Sequence, residues 1–408
     1  MIESACDHRE IAQQLDLLHF QPEAPGMVFW HERGFVLYRL LEEAVREQIR
    51  AQGFAELRTP QLMRRPVWDA SGHWSHFYDG MFRVEDQACE AAIKPVSCPG
   101  HIYVLKQRNV SYRELPLRLA ELGNVHRDEP SGTLHGLLRL RQFTQDDGHI
   151  FCTEEQAHAE LLRFCRGLPA FYRAFGFEQI EIAFSSRPPE RAGDDAAWDR
   201  SEAALLAALR ELGQPFVEQP GAGAFYGPKL EFALRDRHGR SWQCGTIQFD
   251  LVLPKRFGLT YVTASGAREY PVMLHRALYG SLERFLGIVL EQHGTQLPGW
   301  FAPVQVHVLP VAAAQLSAAE AFRSQLVASG LRAQVNSEES LARRVAEAHA
   351  QAVPYVAVIG AREAAADSVS LRERNTQREL SKSAALAELT QRCARPRFVE
   401  AAQQVPWG

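Results

Sequence analysis

The chain has no Cys-x-x-Cys pair. Its seven cysteines (Cys6, Cys89, Cys98, Cys152, Cys165, Cys244 and Cys393) are odd in number and scattered. That argues against a zinc ribbon, a thioredoxin-like motif or a disulfide framework, and for a reducing cytosol. No apolar run is long enough to span a bilayer. The N-terminus opens polar, with Glu3, Asp7, His8 and Arg9, so no signal peptide is expected. A cytoplasmic protein with no membrane partner follows. Excess positive charge is also missing: the net charge is −4, so no global basic field announces a nucleic acid. The residues after Pro303 carry slightly more Lys and Arg than Asp and Glu, which favours RNA contact at that end. There is no Gly-x-x-x-x-Gly-Lys-Ser/Thr loop. Gly221-Ala-Gly223-Ala-Phe-Tyr226 begins like a dinucleotide motif but lacks the third glycine and precedes a strand. Internal repeats and low-complexity tracts are absent.

What is present has the composition of an ordinary globular protein, and 408 residues suggest two domains or three. Residues 30–52 read as a helix, with Phe35, Leu37, Leu40, Leu41, Val45 and Ile49 near helical spacing. Gly53-Phe54 ends it, and a strand runs into Thr59-Pro60. Residues 72–151 alternate strands with Gly/Pro turns. Thr153-Glu-Glu-Gln starts a helix to about Arg173, which Pro169 is expected to kink or interrupt. A second amphipathic helix covers 194–212, strands dominate 224–275, and a helix is expected from Arg276 to about His293. Gly294 to Pro303 punctuates the chain as a domain boundary. Beyond it, strands at Val304–Leu309, Arg332–Val335, Tyr355–Ile359 and Val369–Arg372 alternate with helices at Ser317–Ser329, Ser340–Gln351 and Ser383–Arg395. This pattern predicts a small α/β domain with a largely parallel sheet.

Three separated stretches carry chemistry: Lys94-Pro-Val-Ser-Cys98-Pro-Gly-His101, His126-Arg127-Asp-Glu129 running on to His149, and His275 with Arg284. In a strand from Arg139 to Ile150, one face would carry Arg139, Arg141, Phe143, Gln145, Asp147 and His149. The other would carry Leu140, Gln142, Thr144, Asp146, Gly148 and Ile150, which is not cleanly apolar. Such a strand is either a solvent-exposed edge of mixed polarity or one wall of a site for ATP and an ammonium-bearing substrate. Taken singly, Cys98 reads as a buried apolar residue, His275 as a core histidine, and each arginine as half of a surface salt bridge. The spacing of Cys98, His149 and His275 does not by itself imply a metal.

Taken together, these segments resemble the threonyl-tRNA synthetase family of class II aminoacyl-tRNA synthetases, from about Asp7-His8-Arg9 to about Phe301. Class I signatures are absent. The resemblance implies an α+β fold: an antiparallel sheet flanked by helices over residues 1–300, then a small α/β anticodon-binding-like domain over 301–408. It assigns Arg127 and Glu129 to motif 2 and Arg284 to motif 3. Arg127 would bridge the substrate carboxylate and the α-phosphate, and Arg284 would hold the tail phosphates. Phe143 would stack on adenine, with Glu129 accepting from its amino group. Arg139, Gln243 and Thr246 complete the ATP site, and Lys229 lies near the phosphates. Mg²⁺ accompanies the ATP. Cys98, His149 and His275 would hold one Zn²⁺ per subunit, which takes the substrate's amino and hydroxyl groups. Asp147 would balance the ammonium, and Gln145, Tyr226 and Gln248 would line the amino-acid pocket.

The implied reaction is ATP plus threonine to threonyl-adenylate, then transfer to tRNA. A carrier protein or another small acceptor is the alternative. A third reading, a non-catalytic RNA-binding paralogue, is opposed by the intact Arg127, Arg284, Cys98, His149 and His275. Pro60 matches the motif 1 proline, so a homodimer is expected. The chain begins where the family's catalytic core begins, without its ubiquitin-like and editing domains. Departures from the family pattern cluster late. Glu338, Ala342 and Arg344-Val345-Ala346 stand where the family tends to have Asn, a Gly and a Lys-Ile-Arg run. Asn375-Thr376-Gln377 replaces a glycine-bearing turn after Arg374, and Val96 replaces a Met. These changes imply altered anticodon reading, with phosphate contacts expected from Arg343, Arg344, Arg372 and Arg374.

Overall fold

In the computed structural model, which describes residues 7–86, 89–373 and 376–398, His126, His149 and His275 fall on an eight-stranded sheet. Its strands are β1 Ala55–Glu56, β2 Leu117–His126, β3 Gln142–Cys152, β4 Ile180–Ser185, β5 Val217–Gln219, β6 Lys229–Arg235, β7 Ser241–Asp250 and β8 Val272–Ala277. They lie in the order β5-β4-β6-β7-β8-β3-β2-β1. Every pair from β4 to β2 is antiparallel, and the two edge pairs are parallel. Antiparallel pairing lets the two faces differ in character. One face is helix-covered. There Phe232 meets Phe164 of α3 (Glu154–Arg173), and the Thr144 amide donates to Glu283 of α5 (Leu282–His293). The other face carries the site.

The helices follow local rules. Thr153 and Gln156 form a capping box ahead of α3. Asp194 caps α4 (Asp195–Leu212), and Gly213 closes it with φ 66°. α1 (Glu32–Ala51) matches the expected span. Pro169 does not interrupt α3, which continues to Arg173 because Leu168, Phe171 and Tyr172 are fully buried and hold it to the sheet. Two expectations need correction. Cys98–Lys106 is a helix, α2, not a strand, with Pro99 in its first turn, where a missing amide costs nothing. Arg276 belongs to β8 rather than to α5. The chain turns after Ala277 because Asp146 accepts from the Leu278 and Tyr279 amides and Gly280 takes φ 79°.

The second sheet comprises β9 Val306–Pro310, β10 Ala333–Val335, β11 Tyr355–Ile359, β12 Ser368–Glu373 and β13 Thr376–Ser381, in the order β10-β9-β11-β12-β13. The pairs among β10, β9 and β11 are parallel, and those to β12 and β13 are antiparallel, so the sheet is mixed. Strands β9 and β11 are buried along their whole length, as a sheet covered on both faces requires. α6 (Leu316–Ala328) and α8 (Lys382–Arg392) pack on one face through Phe322, Leu326 and Leu389. α7 (Leu341–Ala350) packs through Ala348 against Val356 and Val358. The chain forms two compact units. One takes the described residues of Met1–His19, Phe29–Leu40 and Val289–Arg397, and the other those of Phe20–Val28, Leu41–Ile288 and Phe398–Gly408.

Candidate active site

Strand register brings the separated segments together. Leu119, His149, His275, Gln248 and Lys229 are consecutive partners across β2, β3, β8, β7 and β6. Directly opposed residues in antiparallel strands share a face at close range. One row of pairing therefore places two imidazoles, an amide and an ammonium side by side. Two residues along, Glu231 opposes Thr246, which opposes Ala277. Alternation does the rest. On β3, Gln145, Asp147 and His149 face the site, while Thr144, Asp146 and Gly148 serve the opposite face. There Asp146 caps the turn after β8. A Cβ on Gly148 would lie 2.5 Å from Arg276 Nε, so any larger residue there would force the Arg276 side chain to shift.

All of this surrounds one cavity of about 430 Å³. Cys98, Arg127, Glu129, Arg139, Phe143, Gln145, Asp147, His149, Tyr226, Lys229, Gln243, Thr246, Gln248, His275 and Arg284 all line it. Every residue assigned to ATP, the amino acid or the metal is among them, whereas Arg141, on the same strand face, is not.

At one end, Cys98, His149 and His275 are buried and offer ligand atoms within 4.8 Å of one another. His149 Nε2 and His275 Nδ1 are 3.0 Å apart. Two nitrogens on one tetrahedral zinc, at about 2.0–2.1 Å each, sit roughly 3.3 Å apart. The spacing and the mix of one thiol with two imidazoles therefore suit zinc. Asp250 strengthens the fit. Its Oδ1 accepts from the Val252 and Leu253 amides, and its Oδ2 takes His275 Nε2–H at 2.9 Å. Nδ1 of His275 is left as a lone pair toward the cavity. Burial holds the His149 imidazole neutral, well below its ordinary range. Burial pushes the Cys98 thiol up, with Asp147 and Asp250 adding to it. A bound dication reverses that preference by stabilising the thiolate. Asp147 Oδ1 lies 3.6 Å from His149 Nε2, and burial raises its carboxyl. Tyr226 donates its hydroxyl to Gln248 at 3.1 Å.

At the other end the groups suit a polyphosphate and a base. The Arg127 guanidinium lies 5.2 Å from the Phe143 ring centre and donates to the Pro95 carbonyl. Arg139 forks onto Glu129 at 2.7 and 3.0 Å. Arg284 is steadied by the Gln243 and Leu138 carbonyls at 3.1 and 3.0 Å. Lys229 Nζ is 2.7 Å from Glu231 Oε1, which Gln243 also contacts. Two supporting carboxylates escaped the sequence reading, Glu231 and Asp250. Each stands two residues after an assigned strand residue, Lys229 and Gln248, so strand alternation was a usable signal. The walls Leu137, Leu138 and Ser281 also escaped it, since nothing local marks them.

Residues 82–293 match the tRNA synthetase class II core domain (G, H, P, S and T), and residues 305–392 match an anticodon binding domain. The chain is 48% identical over 369 residues to the threonine–tRNA ligase of Burkholderia multivorans, covering 90% of this chain and 58% of that one. It is 50% identical over 370 residues to that of Halorhodospira halophila, with the same coverage. It thus spans under two thirds of the length of these curated relatives. Among solved structures, the RNA binding domain of threonyl-tRNA synthetase from Cryptosporidium parvum Iowa II superposes with a TM-score of 0.91 at 36% identity, covering 95% of this chain and 98% of that one. A putative threonyl-tRNA synthetase from Aeropyrum pernix gives 0.80 at 26% identity, covering 96% and 98%. Prolyl-tRNA synthetase from C. parvum, at 15% identity and 0.73, shares the fold, with 95% and 78% covered. With its core and second domain matched in order, the chain belongs to the class II tRNA synthetase family.

Proposed function

We propose that this chain activates threonine with ATP to threonyl-adenylate and transfers the threonyl group to tRNA. The observation that carries the reading is the single cavity in which a Cys/His/His set and a cluster of arginines meet. Activation is an in-line attack of a carboxylate on the α-phosphate, so two anions must be brought together. Arg127 lines the same cavity and neutralises both reactants with its fork of donors. Arg284 and Lys229 take charge on the remaining phosphates, alongside Mg²⁺. Phe143 offers a stacking face for adenine, and Glu129 accepts from its amino group. Cys98, His149 and His275 hold one zinc. When bound, it supplies a Lewis acid for the substrate's amino and hydroxyl groups. Asp147 balances the ammonium, while Gln145, Tyr226 and Gln248 enclose the side chain. The assignment extends to a catalytic domain over 1–300, an anticodon-binding domain over 301–408, a homodimer, and a cytoplasmic setting. No helix of the described residues is long and apolar enough to cross a membrane.

A second reading keeps the activation and changes the acceptor to a carrier protein or another small molecule. The second domain favours it. Arg344, expected to contact phosphate, is buried and spends its guanidinium on the Pro310 and Asn336 carbonyls at 2.7 and 2.9 Å. Arg343 is engaged by Glu339 at 3.1 Å, and Glu338 is exposed where an anionic backbone would approach. Arg372 is partly exposed, and Arg374 and Asn375 lie outside the described residues.

Pyrophosphate exchange tests the activation step. Threonine should support it. Valine should be rejected by about 10⁴-fold or more, because it leaves a polar partner unmet, and serine by only about 1–3 kcal/mol. Cys98→Ala should lose zinc and exchange together. Exchange that persists without zinc, or with serine as poor as valine, would sink the pocket assignment. Charging of total tRNA then decides between the two acceptors.

A further inference from the structure

The amino-acid end of the cavity offers polar groups almost throughout. Cys98, His149 and His275 stand there with Gln145, Asp147, Tyr226 and Gln248. Such groups engage an ammonium and a hydroxyl. They do not tell one hydrocarbon branch from another, because a methyl group offers them no hydrogen bond. Discrimination among side chains that share a hydroxyl needs an apolar wall.

Five residues line the cavity with aliphatic side chains: Val96, Leu137, Leu138, Leu140 and Ala277. The three leucines flank Arg139 in sequence, and Arg284 donates to the Leu138 carbonyl at 3.0 Å, so they belong to the phosphate end. Ala277 opposes Thr246, a residue assigned to ATP, and carries only a methyl group. Val96 remains. It lies two residues before Cys98 and packs, as Tyr226 does, against the apolar cluster of Cys98, Ile102 and Phe151. It also packs against the cluster of Trp68, Trp74 and Met81. A β-branched side chain held by two clusters has little freedom to turn away. Its backbone is fixed as well. The Lys94 carbonyl accepts from the His126 amide at 3.0 Å, and the Pro95 carbonyl from Arg127 Nε at 3.3 Å. The segment that carries Val96 is thus tied to the arginine assigned to the substrate carboxylate.

We infer that Val96 is a specificity-determining residue, the wall that meets the hydrocarbon branch of a β-hydroxy amino acid and sets the largest branch admitted. This rests on reading the end with Cys98, His149 and His275 as the amino-acid pocket. Serine, threonine and 3-hydroxynorvaline share the ammonium, carboxylate and hydroxyl and differ by one carbon at a time. The polar groups treat the three alike, and a stiff wall does not. It gives the methyl of threonine a contact that serine forgoes, and it crowds the longer branch of 3-hydroxynorvaline.

The test is pyrophosphate exchange by the full chain with each of the three amino acids, comparing ratios of kcat/KM. The unaltered chain should prefer threonine over 3-hydroxynorvaline by about tenfold or more. Val96→Ala should return most of that difference and should lower the preference for threonine over serine by about fourfold or more, the worth of one buried methylene. Val96→Ile should move 3-hydroxynorvaline the other way, further below threonine. Opposite shifts from the smaller and the larger residue are what a wall produces and what a general loss of stability does not. Zinc content should stay the same in both variants. Active variants with unaltered ratios overturn the inference alone. An unaltered chain that exchanges with none of the three overturns the pocket reading and the inference with it. If the variants do not fold, the unaltered chain decides through its affinity for sulfamoyl-adenosine analogues of threonyl- and 3-hydroxynorvalyl-adenylate: equal binding of the two overturns the inference.

Discussion

Lys229 and Gln243 owe their placement to one carboxylate. Glu231 is 8% exposed, takes Lys229 and Gln243 on Oε1 and receives Ser185 Oγ at 2.5 Å on Oε2. Glu231→Gln keeps the shape but removes the charge that orients the ammonium. Hydrogen bonds to charged groups are worth about 1.5–3 kcal/mol, so kcat/KM for ATP in pyrophosphate exchange should fall roughly ten- to a hundredfold. Zinc content should be untouched, since no contact links Glu231 to Cys98, His149 or His275 among the described residues. Unchanged ATP kinetics would show that Lys229 needs no such support. A further residue-scale effect concerns His73, which is buried against Phe225 and donates to or accepts from Ser71 Oγ at 2.8 Å. Burial, helped by the charge of Arg127, lowers its imidazole to about 3. The unfolded chain binds this proton below about pH 6.5. The folded chain refuses it until about pH 3. More protons bound when unfolded means stability that rises with pH in this window. It is complete above about 6.5 and drains away as pH falls toward 3. Urea midpoints followed by tryptophan fluorescence at pH 7.5 and pH 5 should show the loss, and His73→Asn should reduce it. An identical slope in the variant would mean that other groups govern it.

Strand β3 serves two faces at once. Its site face carries Gln145, Asp147 and His149, and its other face carries Thr144 against Glu283, Asp146 against the turn after β8, and Gly148 under Arg276. That is why the strand looked like a mixed-polarity edge in sequence: the second face is polar because it caps and anchors α5. Gly148→Ala forces Arg276, which is 2% exposed, to move. Overpacking of this kind costs about 1–3 kcal/mol. The denaturation midpoint should fall accordingly, and zinc affinity should drop because His149 is the next residue. A variant with wild-type stability and zinc binding would show that Arg276 yields freely. Helix α2 was misread for a related reason. Pro99 and Gly100 read as a turn, yet proline is at home in a first helical turn, and Gly100 is needed where Thr59 approaches.

Across the whole molecule, periodicity and capping signals marked α1, α3, α4 and most of the second domain, because those signals live within one or two turns of chain. The motif segments marked Cys98, Arg127, His149, His275 and Arg284 as members of one site, through their resemblance to a family and not through spacing. The sequence by itself therefore determined the family, the element types where local rules hold, and which residues are proposed as the reacting groups. Only the tertiary structure decided that Leu119, His149, His275, Gln248 and Lys229 form one row, since register is set by strands far apart in the chain. It alone decided that Arg344 is buried structure, that the second sheet is mixed, and that Glu231 and Asp250 stand behind the site. The physical reason is common to all of these. A buried polar group is defined by the partner that satisfies it, and that partner lies wherever the fold brings the chain back.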